Sequence, residues 1–275
     1  MLNITSKLLH AVSLVVLTGS IVACSSSDNN PKNNSTSKGQ KQTLRVGSDL
    51  TYPPFAYFKD NQPAGFDIEF VKLLTQSTQF QPEFVDTRFA NLIPGLNSKK
   101  FEVIASALYI TPEREKQVNF IPYAKVGGVL IARLNENFSP ERPEELCGKI
   151  VGSIKGASWI PRLEKVSQEY CLVHHKEPIR IREFETSPEA LQSLLSKSTD
   201  VQFENSVVAK NLIEKVKNKT FISSKDILYP EVIGLAIRKD DKATFEVLSN
   251  ALQELKKHDA YQKLLDQNGL EVPSS

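Results

Sequence analysis

Histidine is scarce here, four residues in 275, and His174 and His175 stand side by side with no ligand spacing around them. That argues against a zinc site. No Ser/His/Asp or Cys/His arrangement is present, and no glycine-rich phosphate loop, so nucleophilic and nucleotide chemistry have no footing. Charge of one sign is also lacking. A net charge of +2, with 24% of residues charged, gives no reason to expect nucleic acid as a partner. No internal repeat is evident. With 40% hydrophobic residues the chain is long enough for one large domain or two modest ones.

Long apolar runs are missing too. The stretch Leu8–Ala23, preceded by Lys7, is short and weakly flanked for a membrane span and reads as a targeting segment. It ends in "IVAC", Ile21 to Cys24, which resembles the cleavage site of bacterial lipoproteins, with Cys24 as the lipid-bearing first mature residue. The alternative is an ordinary cleaved signal peptide with a chance cysteine. Residues 1–23 are thus expected to be a signal peptide and 24–42 a tether. "SSSDNNPKNNSTSKGQKQ" holds no apolar residue and can bury nothing. As a flexible coil it would hold the folded part about 20–25 Å from its anchor.

Setting Cys24 aside leaves Cys147 and Cys171, an even pair in an exported and oxidising compartment. A disulfide is expected, with two buried free thiols as the alternative.

From Thr43 onward, short strands alternate with amphipathic helices, an α/β pattern. "TLRVGSD", "PEFVDT" and "FEVIASAL" read as strands. "DIEFVKLLTQST" reads as a helix with Ile68, Phe70, Val71, Leu73 and Leu74 at helical spacing, and "FANLIPGLNSK" as a short one. A second unit starts near "KIVGSIKG", followed by the strand "PIRIREF", the helix "SPEALQSLLSK", the strand "DVQFE" and the helix "SVVAKNLIEKV". The strand "VIGLAIRK" precedes two last helical segments, stopped at Gly269.

"SALYITPERE", Ser106 to Glu115, carries the most specific chemistry. Thr111 suits a helix cap and Pro112 the first turn. Arg114 then falls in that same turn, where the helix end is already positive and a cation is disfavoured. A ligand carboxylate would explain it. A solvated Arg paired with Glu113 or Glu115 would explain it equally well. "KGASWIP", Lys155 to Pro161, reads as a glycine turn with a helix starting at Ser158. Such a start offers backbone N–H groups to an anion, or is a plain connection with a capping serine.

Residues 43–270 resemble the polar amino-acid solute-binding proteins of ATP-binding-cassette importers, family 3 of the periplasmic binding proteins. The resemblance rests on "VGSDLTYPPFAYF", "GFDIEFVKLL", "LIPGLNSKKFEVIASALYITPEREKQVNF", "LCGKIVGSIKGAS" and "SPEALQSLLSKSTDVQFENSVVA", in the family's order and spacing. It implies an α/β, two-lobe periplasmic-binding-protein fold of type II. Each lobe is a mixed sheet flanked by helices, with the ligand cleft between them. Lobe 1 would span residues 43–127 and 229–270, and lobe 2 residues 128–228. Hinge strands would lie near "VGGVLI" and "YPEVIGLAI". A subgroup of the family also has cysteine in "LCGK" and again about two dozen residues later, which supports the Cys147–Cys171 bond.

By the same resemblance, Arg114 takes the ligand's carboxylate and the loop bearing Ser158 and Trp159 completes that site. Tyr52 and Phe89 line the space for the ligand's side chain, with Asp49 and Ser106 close by. The alternatives are Phe89 in the core and Asp49 bonding its own turn. Two positions depart from the family pattern. Tyr109 stands where a small hydroxyl residue is common, and Asn205 where an acidic residue normally takes the ligand's ammonium. Glu204, its neighbour, could substitute only if the strand ends or bulges there.

The expected function is a lipid-anchored, monomeric, non-catalytic receptor on the outer face of the cell envelope. It would need no cofactor or metal and would pass an amino acid or related carboxylate to a membrane permease. A cyclohexadienyl-dehydratase-like enzyme with Glu204 as its acid, or a ligand sensor, are the alternatives.

Overall fold

A computed structural model describes residues 41–273. The expected signal peptide, Cys24 and nearly all of the tether lie outside the described residues. In chain order the strands are β1 (Gln42–Ser48), β2 (Thr51–Tyr52), β3 (Ala56–Lys59), β4 (Gln62–Ala64), β5 (Phe80–Asp86), β6 (Val103–Ile104) and β7 (Val118–Arg133). They continue with β8 (Ile150–Ile154), β9 (Arg180–Phe184), β10 (Val201–Asn205), β11 (Thr220–Ile222) and β12 (Leu228–Arg238). The helices are α1 (Phe66–Thr75), α2 (Leu92–Asn97), α3 (Pro112–Glu115), α4 (Ile160–Val166), α5 (Ser187–Leu195), α6 (Ser206–Lys215), α7 (Lys242–Leu255) and α8 (Asp259–Gln267).

The main sheet runs β5-β1-β6-β12-β7-β10-β8-β9, with β11 also on β7, and β2-β3-β4 form a small separate sheet. This is the mixed α/β, two-lobe architecture expected from the sequence. Parallel β5, β1 and β6 make one half, and parallel β10, β8 and β9 the other. Two long strands join the halves. The first part of β7 pairs antiparallel with β12, and Gly128 to Ile131 then pair with β10. The expected hinge stretches fall inside these two strands.

The helices cover the sheet as their spacing demands. Phe66, Ile68, Phe70, Val71 and Leu74 of α1 are all buried, while Leu73 is half-buried. Phe66 and Phe70 pack on Tyr123 with ring centroids 5.8 and 4.7 Å away. Each such side chain contributes roughly 1.5–3 kcal/mol by leaving water. In the other half Leu191 and Leu194 of α5 and Val208 and Leu212 of α6 are buried in the same way. Cys147 and Cys171 are disulfide-bonded, tying the segment before β8 to the turn that follows α4.

One strand is much shorter than its apolar run predicts. "FEVIASAL" pairs as β6 only at Val103 and Ile104. Side chains capture the backbone beyond that point. The Ala107 N–H donates to the Asp67 carboxylate at 2.7 Å, and the Asp49 N–H donates to Ser106 Oγ at 3.0 Å. Ala107 takes φ +45, a left-handed conformation that costs a non-glycine residue energy and bends the chain out of the sheet. The loop so formed carries Tyr109 and leads into α3.

Candidate ligand site

Thr111 caps α3 as expected, its hydroxyl accepting the Arg114 N–H at 3.3 Å. From this four-residue helix the Arg114 guanidinium donates to Tyr109 O at 2.8 Å and to Gly156 O at 3.0 Å. The first carbonyl belongs to its own loop, the second to the turn after β8 in the other half of the sheet. The guanidinium also lies 5.6 Å from the Phe89 ring centroid, a cation–π distance. Burial pulls its pKa down to about 10, which leaves it a cation at neutral pH. Among the described residues no carboxylate forms an ion pair with it, so the pairing with Glu113 or Glu115 does not form. Its partners are neutral acceptors, and bonds to a carboxylate are roughly twice as strong.

Across from it, the turn after β8 differs from the sequence reading. Gly156 supplies the left-handed turn at φ +77, but α4 starts at Ile160 rather than Ser158. Trp159 holds the cap position with no side-chain cap bond, because Ser158 sits one residue too early for its hydroxyl to serve. The backbone N–H groups of Ser158 and Trp159 have no acceptor among the described residues. Trp159 is fixed by its Nε1–H bond to Ser153 Oγ at 2.8 Å and by stacking on Phe203 at 5.0 Å. Its ring meets Tyr109 edge-on at 6.0 Å.

Tyr52, Phe89, Tyr109, Ser158 and Trp159 come together around one cavity of about 10 Å³, roughly what a single water requires. An amino acid enters only if the two halves move apart. Two tyrosine hydroxyls help hold them together. Tyr52 donates to Glu204 at 2.9 Å, and Asn205 Nδ2 donates to Tyr109 at 2.9 Å.

The structure places Asn205 differently from its expected role. It is the cap of α6, with Oδ1 accepting the N–H groups of Val207 at 2.9 Å and Val208 at 3.3 Å. Its one carbonyl oxygen is therefore committed to the helix. Strand β10 ends at this residue, the condition under which Glu204 can turn toward the cleft. Glu204 is wholly buried and accepts from Tyr52, from Gln202 Nε2 at 3.0 Å and from the Asn205 N–H at 2.9 Å. Burial pushes its pKa upward against these bonds.

Asp49 and Ser106 sit behind the cavity rather than on it. Asp49 Oδ1 accepts from Thr51 Oγ1 at 2.6 Å and from Arg88 at 2.7 Å, while Oδ2 accepts the Phe89 N–H at 2.9 Å. Asp49 therefore bonds its own turn and also fixes the residue that faces Arg114. Burial raises its pKa, with Thr51 and Arg88 acting in the opposite sense. Ser106 is spent on the Asp49 N–H.

Sequence reasoning missed Arg88, Ser153 and Asp67. Asp67 is wholly buried, accepts from Tyr123 at 2.6 Å and Ala107 at 2.7 Å, and is pushed by burial up to about 7. An acidic residue in a first helical turn is ordinary, so nothing in "GFDIEF" marks it.

The family model for bacterial extracellular solute-binding proteins, family 3, matches residues 44–271. Among curated relatives, the ABC transporter arginine-binding protein 1 of Escherichia coli K12 is 30% identical over 234 residues, covering 82% of this chain and 90% of the relative. The histidine-binding periplasmic protein of the same organism is also 30% identical, covering 81% and 86%. Of solved structures, an ancestral arginine-binding protein bound to arginine superposes with a TM-score of 0.75 at 30% identity, covering 83% and 99%.

Proposed function

The chain belongs to the bacterial extracellular solute-binding proteins, family 3, and from that footing we propose that it captures an amino acid or a closely related small carboxylate for an ABC importer. The observation that carries this reading is Arg114. It is a half-buried cation held by two neutral carbonyls, one from each half of the sheet. Facing it, Ser158 and Trp159 offer N–H groups with no acceptor among the described residues. A carboxylate entering between them gains charge-assisted bonds from Arg114 and ordinary ones from the two amides. Phe89, Tyr52, Trp159 and Tyr109 supply apolar walls for the rest of the ligand.

We assign residues 43–127 and 229–270 to lobe 1 and 128–228 to lobe 2, with β7 and β12 as the hinge. Closure around a ligand is the ordinary motion for such a pair. Tyr109 narrows the site, so the ligand has to move that ring aside or fit beneath it. The protein acts as a binder rather than an enzyme. A dehydratase would need an acid free to reach substrate, whereas the Glu204 carboxylate already accepts three bonds. We further propose that the protein is a monomer, anchored through lipid on Cys24 to the extracytoplasmic face of a membrane, beside its permease. Replacing Cys24 by Ala should release it, and a Cys24→Ala protein that is cleaved yet still membrane-bound would contradict the anchor.

Thermal-shift screening against amino acids, opines and small carboxylates tests the main claim. A ligand at 100 times its dissociation constant adds about 2.7 kcal/mol to stability. No shift with any of these compounds would overturn the proposal.

A further inference from the structure

Behind Tyr52 lies a buried polar cluster that the carboxylate site does not use. Gln202 and Glu204 stand two residues apart on one face of β10, and Ser187 opens α5 beside them. Relative exposure is 0% for Gln202 and Glu204 and 1% for Ser187. Gln202 Nε2 donates to both Ser187 O at 3.3 Å and Glu204 Oε2 at 3.0 Å, which fixes the orientation of its amide. Gln202 Oε1 is then left with no hydrogen-bond partner, as is Ser187 Oγ. Among the described residues no Lys, Arg or His pairs with Glu204. Acceptors therefore converge on a carboxylate that has no counter-charge.

A buried carboxylate without a cation is costly, and an unmet acceptor beside it adds to the cost. What the cluster lacks is a donor that carries positive charge. Its one seal toward the cleft is the Tyr52 hydroxyl, which comes from the other half of the sheet and bonds Glu204 at 2.9 Å. When the halves part, Tyr52 leaves and the carboxylate faces the cleft.

We infer that Glu204, supported by Gln202 and Ser187, is the seat for a cationic nitrogen of the ligand. Asn205 cannot fill that role, because its oxygen caps α6. The inference rests on the carboxylate reading of Arg114 and narrows it. The solute carries both a carboxylate and an ammonium or guanidinium group, the first bound at Arg114 and the second at Glu204.

Calorimetry with a fixed panel tests this: L-arginine, L-citrulline, 5-guanidinopentanoate and glutarate, on the wild-type protein and on Glu204→Gln. Glutamine keeps the acceptor for Tyr52 and removes the buried charge, so the variant should melt no lower than wild type. The expected result is that the cationic panel members bound by wild type lose at least tenfold in affinity on Glu204→Gln, while glutarate does not weaken. Comparing citrulline with guanidinopentanoate tells which nitrogen uses the seat. Equal affinity of a cationic ligand for both proteins would overturn the inference, as would a wild type that binds only glutarate, and either leaves the Arg114 site standing. A wild type that binds none of the four would overturn both.

Discussion

Replacing Asp67 by Asn should flatten the pH dependence of stability. The folded carboxyl is pushed up to about 7, against 3.8 for the free group. Its native form thus holds a proton that the unfolded chain has lost, and folding becomes less favourable as pH rises from about 4 to 7. The difference of roughly 3 units corresponds to about 4 kcal/mol once the group is fully ionised. Between pH 5 and pH 8 it amounts to about 2.5 kcal/mol. Asparagine fits the same place. Its oxygen can accept the Ala107 N–H, and its NH₂ can donate to the Tyr123 oxygen, which today donates to Asp67. Because Glu204 and Asp49 are also raised by burial, the useful quantity is the difference between the two proteins. Urea unfolding at both pH values should show Asp67→Asn gaining about 2.5 kcal/mol on wild type from pH 5 to pH 8. Parallel stability curves would refute the reasoning and mean that Asp67 carries no raised pKa.

Two further substitutions probe the frame around the site. Losing the Cys147–Cys171 bond frees a loop of sequence separation 24, so the double alanine variant should lose about 3 kcal/mol on the chain-entropy model. Denaturant titration checks this, and two alkylatable thiols in the native exported protein would contradict the bond itself. At Gly128, where β7 crosses between the halves, an added Cβ would stand 2.1 Å from the Phe203 ring. That ring is stacked between Trp159 and Tyr229 at 5.0 and 5.8 Å and has no free side to move to. Gly128→Ala should cost about 1–3 kcal/mol, a melting point lower by roughly 3–10 °C in calorimetry, and an unchanged melting point would show that the stack yields.

Helix and strand periods were readable because burial enforces them. The apolar face of α1 and the runs that became β7 and β12 could be taken directly from residue spacing. Where the reading failed, a side chain had captured the backbone. Asp67 and Ser106 take the bonds that would have extended β6, and neither partner is close in sequence, so no local pattern announces them. The Ser158 helix start failed by two residues because the capping logic could not tell that the turn keeps two N–H groups free. Arg114 was legible as an oddity of charge placement, and the structure removes its bland explanation by leaving Glu113 and Glu115 unpaired with it. Asn205 and Glu204 were the harder pair. Which of them faces the cleft depends on where β10 stops, and strand ends are the least determined feature of a sequence.

The most direct measurement is calorimetric titration of Arg114→Ala with the strongest hit from the thermal-shift screen. Because α3 is short and Arg114 is half-exposed, the variant should keep the wild-type fold by circular dichroism. The account predicts that carboxylate binding falls by several kcal/mol, to the edge of detection, since one partner of an ionic hydrogen-bonded pair is removed and the ligand's charge is left unmet. An Arg114→Ala protein that binds the same ligand with wild-type affinity would contradict the site assignment.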